Sequence, residues 1–156
     1  MGIGFDIHPL VKDEKLILGG VEIDYKLGLK GHSDADVLVH AVMDAILGAL
    51  GKGDIGVHFP DDEDRYKGIN SLKLLEKVYK MMCEDGFSIN NLDAIVIAER
   101  PKIKPYVDLI CDKLARYLEI NSQVVNVKAT TAEGLGFIGR GEGIAVQAIV
   151  SLQKNL

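Results

Sequence analysis

The stretch G-H-S-D-A-D-V-L-V-H-A-V-M-D-A-I-L-G-A-L, residues 31–50, constrains this 156-residue chain more than any other. Val37, Leu38, Ala41, Val42, Ala45, Ile46 and Ala49 recur at helical spacing, which predicts a helix with one apolar stripe against a core. Ser33 stands where it can cap the first turn, with Asp36 three residues on to complete a capping box. Asp36, His40 and Asp44 stack along one edge at i, i+4 and i+8. His32 and Ser33 precede the helix where free backbone N–H groups point outward, and such a terminus attracts anions. The stretch thus offers an anion cradle and, one turn further in, a histidine ligand.

The length suits one domain over residues 1–156 with a core of its own. Hydrophobic residues at 47% and charged residues at 26% describe an ordinary soluble globular chain. A net charge of −5 argues against a nucleic-acid partner. No apolar run reaches membrane length and no signal peptide precedes the first strand-like residues, so no membrane partner is expected. The expected setting is the cytoplasm of a bacterium, or a plastid-type organelle had a transit peptide been trimmed. Cys83 and Cys111 fall in helical patterns without metal-ligand spacing, which predicts packed thiols.

Residues 1–8 alternate, with Ile3, Phe5 and Ile7 on one face of a strand and Gly4, Asp6 and His8 on the other. The D-x-H pair is half of a metal site or simply a solvated strand end. Residues 16–25 read as two strand arms joined at Gly19-Gly20. The Gly- and Asp-rich connection after Leu50 is a binding lid or a solvated acidic loop. Residues 70–86 predict a helix with Leu72, Leu75, Tyr79 and Met82 inward and Gly86 as its stop. A buried strand follows over 92–98. Pro105 suits the first turn of a helix to about Glu119, with Val107, Ile110, Leu114 and Leu118 inward. Strands over 124–129 and 144–152 flank T-T-A-E and a run with five glycines in ten residues, dense enough for a backbone to approach a phosphate. The pattern predicts an α+β fold of β-α-β-β-α-β type, a mixed sheet covered on one face by helices.

Taken together, G-F-D-I-H, G-H-S-D-A-D-V-x-x-H-A-x-x-D-A, G-D-I-G-x-x-F-P-D, P-K, K-A-T-T-x-E and G-x-G-F-x-G-R-G-E-G form an ordered set. In order and spacing the chain resembles the 2-C-methyl-D-erythritol 2,4-cyclodiphosphate synthases of the non-mevalonate isoprenoid pathway, over essentially its whole length. The resemblance implies a homotrimer with sheets packed inside and active sites shared between subunits. It implies a lyase that cyclises 4-diphosphocytidyl-2-C-methyl-D-erythritol 2-phosphate and releases CMP.

Residue by residue, the resemblance places zinc at Asp6, His8 and His40, and two histidines with one carboxylate suit a catalytic zinc that keeps an open position. His32 and Ser33 would hold the diphosphate, and Asp54 and Gly56 the ribose. Phe59, Asp61, Asp62 and Glu63 would cover the methylerythritol moiety. Ala98, Pro101, Lys102, Ile103 and Lys104 match the cytosine pocket. Thr130 and Thr131 match phosphate-binding threonines, and Glu133 a ligand of magnesium or manganese. His32 and Thr131 would steady the transferring phosphoryl group as the catalytic pair. Phe137 and Arg140 match residues near the trimer axis, where some members hold an isoprenoid diphosphate, or where Arg140 and Glu142 form a structural ion-pair network between subunits. Asp36 and Asp44 match acidic positions near the metal histidine, Asp44 as its outer support or as a plain helix-edge carboxylate. Gly134, Lys104, Tyr106 and the short G-I-G-F-D start depart from the family pattern, and they bear on substrate contacts rather than on the reaction. A metal-dependent phosphohydrolase and a nucleotide-binding module with a structural zinc are the other readings these residues allow.

Overall fold

The alternation at the start of the chain builds a long strand, β1 (Gly2–Val11), in the computed structural model, which describes residues 1–60 and 62–155. The hairpin of β2 (Leu16–Leu18) and β3 (Val21–Ile23) turns on Gly19 and Gly20 as expected. Their φ values of 60° and 73° match the strand twist that a two-residue turn must follow. The short β4 (Gly28–Leu29) pairs with the end of β1. Helix α1 (Val37–Leu50), a single turn α2 (Ile55–His58) and helix α3 (Ser71–Glu84) come next. Strand β5 (Phe87–Ile97), helix α4 (Val107–Tyr117), strand β6 (Val125–Thr130), the turn α5 (Gly136–Gly139) and strand β7 (Gly143–Lys154) complete the fold.

The sheet order is β4-β1-β7-β5-β6, with β7 antiparallel to both neighbours and β6 parallel to β5. Helix α1 packs on β1 and β7, α3 on β5 and α1, and α4 on β6, forming one helical layer. The α+β class and mixed sheet are as expected. Among the long elements the order is β-α-α-β-α-β-β, because α1 and α3 follow one another and only a turn separates β6 from β7. Strand β5 begins at Phe87, ahead of the expected start at Leu92, and accommodates an irregularity between Ile89 and Asn91. Pro105 sits in a 3₁₀ turn that leads into α4. Cys83 is exposed rather than packed, since Met82 beside it is the residue that points into the core, and Cys111 is half-buried.

Helix α1 departs from the expected single stripe, because Val39, Met43 and Leu47 are buried as well. The sheet covers one side and α3 and β2 the others, so the helix is buried around most of its circumference. Each such aliphatic side chain contributes roughly 1.5–3 kcal/mol on leaving water. The helix also begins later than expected. Ala35 has a φ of 56°, outside the helical region, so Ser33 cannot be the N-cap. Asp36 takes that role, accepting from Val39 N–H at 3.1 Å. The same carboxylate accepts from Gly19 N–H at 2.9 Å and Gly20 N–H at 2.6 Å, which ties the hairpin turn to the helix start. Burial pushes this carboxyl up to about 6 against the pull of the N–H groups of Gly20 and Val39. Asp36 therefore faces the hairpin, not the imidazole of His40.

Strand β1 turns its glycine face, not its apolar face, toward α1. A methyl on Gly2 would fall 2.0 Å from the Ala45 carbonyl oxygen, and one on Gly4 would fall 1.9 Å from that of Ala41. Ile3, Phe5 and Ile149 are left on the far face of the sheet, 61%, 57% and 43% exposed, with Ile3 and Ile149 paired in register. Gly4→Ala should destabilise the fold by about 3 kcal/mol or more, since backbone must move. Gly48→Ala, where nothing stands closer than 3.7 Å, should stabilise it by up to ~1 kcal/mol. Chemical denaturation measures both, and equal stabilities would contradict the close approach.

Candidate active site

Asp6 and His8 share the face of β1 that meets α1, and His40 lies on α1 one turn beyond its cap. Asp6 Oδ2 is 2.9 Å from His8 Nε2 and 3.0 Å from His40 Nδ1, and the two ring nitrogens are 3.3 Å apart. Their ligand atoms lie within 4.8 Å of one another, so the group can hold a divalent metal ion. Burial acts to raise the Asp6 carboxyl, but hydrogen bonds with His40 and His8 together outweigh it and hold the group well below the usual carboxylate range. Burial acts to lower His8, yet its hydrogen bond and attraction to Asp6, with the Lys30 carbonyl, leave it raised.

The partners outside this trio decide which nitrogens carry protons. His8 Nδ1–H donates to the Lys30 carbonyl at 3.0 Å, which leaves the Nε2 lone pair facing inward. His40 Nε2 lies 3.0 Å from both Ser33 Oγ and Ser71 Oγ. Electron-rich atoms thus crowd together and need a cation or a proton among them. A divalent ion that accepts both nitrogen and oxygen ligands fits that donor set. Because a metal ligand must be deprotonated, protons compete with the ion for these atoms at acid pH.

The trio opens into a cavity of about 170 Å³ lined also by His32, Ser33, Ile55, Gly56, Phe59, Tyr66 and Leu74. Here the expected metal trio, His32, Ser33, Gly56 and Phe59 come together. His32 Nε2 is buried without a hydrogen-bond partner among the described residues. Asp54 does not line the cavity, because its carboxylate caps α2 by accepting from Val57 N–H at 3.1 Å. Asp44 accepts from Ile55 N–H at 2.7 Å, so it holds α2 in place rather than supporting His40 directly. Glu63 pairs with Arg65 and Asp62 lies in an exposed turn, both off the cavity. Asp61 lies outside the described residues.

A second cavity, about 230 Å³, is lined by Ala98, Glu99, Pro101, Lys102, Ile103, Lys104, Ala129, Thr130 and Thr131. The expected cytosine and phosphate residues therefore meet at the ends of β5 and β6. Glu99, which no motif singles out, accepts from Ala132 N–H at 3.2 Å and fixes the turn after Thr131. Thr131 Oγ1 donates to Glu133 at 2.5 Å, so Glu133 belongs to this edge and is not brought to the Asp6 trio. Phe137 lines a third cavity of about 360 Å³ with Ile7, His8, Pro9, Glu142 and Gly143. Arg140 is exposed and forked onto Glu142, at 2.7 and 3.1 Å. Asp34 and Ser71, behind His40, also stand outside the expected set. Their one sequence signal is the Asn70 cap that starts α3 beside them.

Known proteins share this sequence and fold. The chain is 62% identical over 154 residues to the 2-C-methyl-D-erythritol 2,4-cyclodiphosphate synthase of Lachnospira eligens, covering 99% of this chain and 84% of that one. It is 56% identical to the synthase of the same name from Desulforamulus reducens, covering 99% of each. Among solved structures, the bifunctional IspDF of Campylobacter jejuni superposes with a TM-score of 0.95 at 46% identity. That match covers 98% of this chain and 42% of the longer bifunctional one. IspF of Plasmodium falciparum in its CDP complex superposes with a TM-score of 0.88 at 34% identity, covering 99% of this chain and 96% of that one. The family model that matches residues 1–153 takes in the D-x-H strand, the histidine helix and the glycine-rich turn together, and by it the chain belongs to the YgbB family.

Proposed function

We propose that the chain cyclises 4-diphosphocytidyl-2-C-methyl-D-erythritol 2-phosphate to 2-C-methyl-D-erythritol 2,4-cyclodiphosphate, releasing CMP. The observation that carries this reading is the convergence of Asp6, His8 and His40 in a cavity walled by His32 and Ser33. An oxygen of the 2-phosphate attacks the β-phosphorus, a new P–O bond forms, and the bond to the bridging oxygen of CMP breaks. No protein nucleophile is required. Asp6, His8 and His40 would hold zinc, and Glu133 magnesium or manganese, and such ions neutralise phosphate charge and polarise phosphorus.

The side chains supply the rest. His32, with its unpartnered buried Nε2, and Thr131 are suited to hydrogen-bond the transferring phosphoryl group. Phe59, Tyr66 and Leu74 give the first cavity an apolar wall that excludes water from the carbon skeleton. Backbone groups between Ala98 and Lys104 read the base edge. Holding the two ends of one substrate together supplies effective molarity equivalent to ~7 kcal/mol or more.

The metal trio is centred on β1 and the threonines follow from β6, with β7 and β5 between them. Three strand spacings amount to roughly 14 Å, a long span for one phosphate cluster within a single chain. This separation and the exposed Ile3, Phe5 and Ile149 support a homotrimer with sheets packed inside, each active site completed by a neighbour. The third cavity, with Phe137 in its wall, supports an isoprenoid diphosphate on the trimer axis, whereas the pairing of Arg140 with Glu142 supports a structural ion pair there. The relatives from Lachnospira eligens and Desulforamulus reducens support a bacterial, cytoplasmic setting. No helix among the described residues is long and apolar enough to cross a membrane.

Incubated with substrate and magnesium, the protein should release CMP and cyclic diphosphate in equal amounts, read by phosphorus NMR. Free phosphate in place of the cyclic product would sink the reading in favour of a phosphohydrolase. His40→Ala and Thr131→Ala should each be inactive alone. Co-expressed at equal level, they should rebuild about a quarter of the sites, the product of two one-half chances at each heterologous contact. Background activity in verified mixed trimers would count against the shared site. Separately, Arg140→Ala should weaken either trimer stability or retention of geranyl or farnesyl diphosphate, and if both are unaltered neither the ion pair nor the axial ligand stands.

A further inference from the structure

Behind His40, on the side away from the ligand cluster, stand two residues that the reaction above does not use. Ser71, the first residue of α3, is fully buried, and Asp34 precedes α1. Neither lines the cavity. Ser71 Oγ donates to Asp34 Oδ1, and Ser71 N–H donates to Asp34 Oδ2 at 2.9 Å. An ionised carboxylate only accepts, so the hydroxyl proton of Ser71 is committed to it.

Toward His40, Ser71 Oγ then offers only lone pairs. His40 Nε2, 3.0 Å away, completes the hydrogen bond by carrying the ring proton. Ser33 Oγ, also 3.0 Å from Nε2, accepts from Ala35 N–H at 3.3 Å and can give its own proton to Ser71 at 3.3 Å. With a cation on Nδ1, every group in this chain of hydrogen bonds is satisfied with Nε2 protonated. A neutral imidazole of that form carries its lone pair on Nδ1, the atom facing Asp6 at 3.0 Å and His8 at 3.3 Å. The other tautomer puts a proton in the middle of the ligand set, donated to Asp6 Oδ2 at 3.0 Å and in competition with an ion.

We propose that Asp34 and Ser71 are positioning residues whose ordered hydrogen bonds hold His40 in its Nε2–H form and so present Nδ1 as a metal ligand. The ligand role of Nδ1 rests on reading Asp6, His8 and His40 as metal ligands.

Asp34→Asn makes a sharp test because it keeps shape and reverses the hydrogen bonds. The amide oxygen is held by Ser71 N–H, the nearer backbone donor at 2.9 Å against 3.3 Å for Asp36 N–H. The amide NH₂ then faces Ser71 Oγ and donates to it, so the serine proton turns to His40 Nε2. A neutral His40 then accepts at Nε2 and keeps its proton on Nδ1, where it competes with the ion. In zinc-loaded protein, nitrogen-15 NMR of the histidines should show the His40 Nε2 proton held in a hydrogen bond in the unaltered chain and exchanging faster with solvent in Asp34→Asn. Zinc affinity by chelator competition should fall about 10–100-fold in Asp34→Asn and Ser71→Ala, while Ser71→Thr, which keeps the hydroxyl, should restore most of it. Thermal unfolding of the same samples checks that the folds are intact. If the unaltered chain binds zinc and the variants bind it equally with His40 unchanged, the positioning role is overturned and the metal reading stands. If the unaltered chain takes no zinc, the metal reading itself falls, and the proposed role falls with it.

Discussion

Gly2 and Gly4 let β1 lie against α1 with almost no side chain between the two backbones, close enough that an added methyl would strike a helix carbonyl at 2.0 or 1.9 Å. Asp6 and His8 continue the same strand face, and His40 precedes Ala41 on the helix that this face touches. The separation set by the glycines is thereby passed on to the ligand atoms, which meet within 4.8 Å. Ile3, Phe5 and Ile7 of β1 are turned to the opposite face of the sheet. A single packing constraint accounts for both the site on the helical side and the bare Ile3, Phe5 and Ile149 on the other.

A second set of contacts keeps the helix start from fraying next to the site. The Asp36 carboxylate caps α1 and receives both N–H groups of the Gly19-Gly20 turn, which fastens the hairpin to the helix beside the loop that carries His32 and Ser33. Asp44 acts likewise two turns further on, binding Ile55 N–H and seating α2, whose Gly56 and the adjoining Phe59 wall the cavity. The acidic residues along one edge of α1 thus fasten neighbouring backbone to the helix, and only the histidine between them is turned to the ligand cluster. Burial raises the Asp44 carboxyl, and the negative charge of Asp54 adds to it against the pull of Ile55 N–H.

What is legible in the sequence is local or periodic. The alternation of β1, the two-glycine turn, the Asn70 start of α3 and the amphipathic repeat of α4 all depend on neighbours within a few residues, and the structure keeps each of them. Ser33 reads as a cap from sequence because nothing about an alanine at position 35 announces a φ of 56°. Burial of Val39 and Met43 depends on how α3 and β2 close over α1, which no window along α1 contains. Asp54 shows how one carboxylate oxygen can satisfy a helix start, a use that the sequence does not distinguish from its expected role toward ribose. The pairing of Asp34 with Ser71 joins residues far apart in the chain through the docking of α3, so their hold on His40 is visible only in three dimensions.

The proposed chemistry of the first cavity depends on a divalent ion held by Asp6, His8 and His40. Crystals of the protein grown with zinc and measured at the zinc absorption edge would locate it directly. The anomalous map should show one peak per chain, about 2.0–2.2 Å from an Asp6 oxygen, His8 Nε2 and His40 Nδ1. A peak bound through other atoms, or a fully occupied zinc elsewhere with this trio empty, would contradict it.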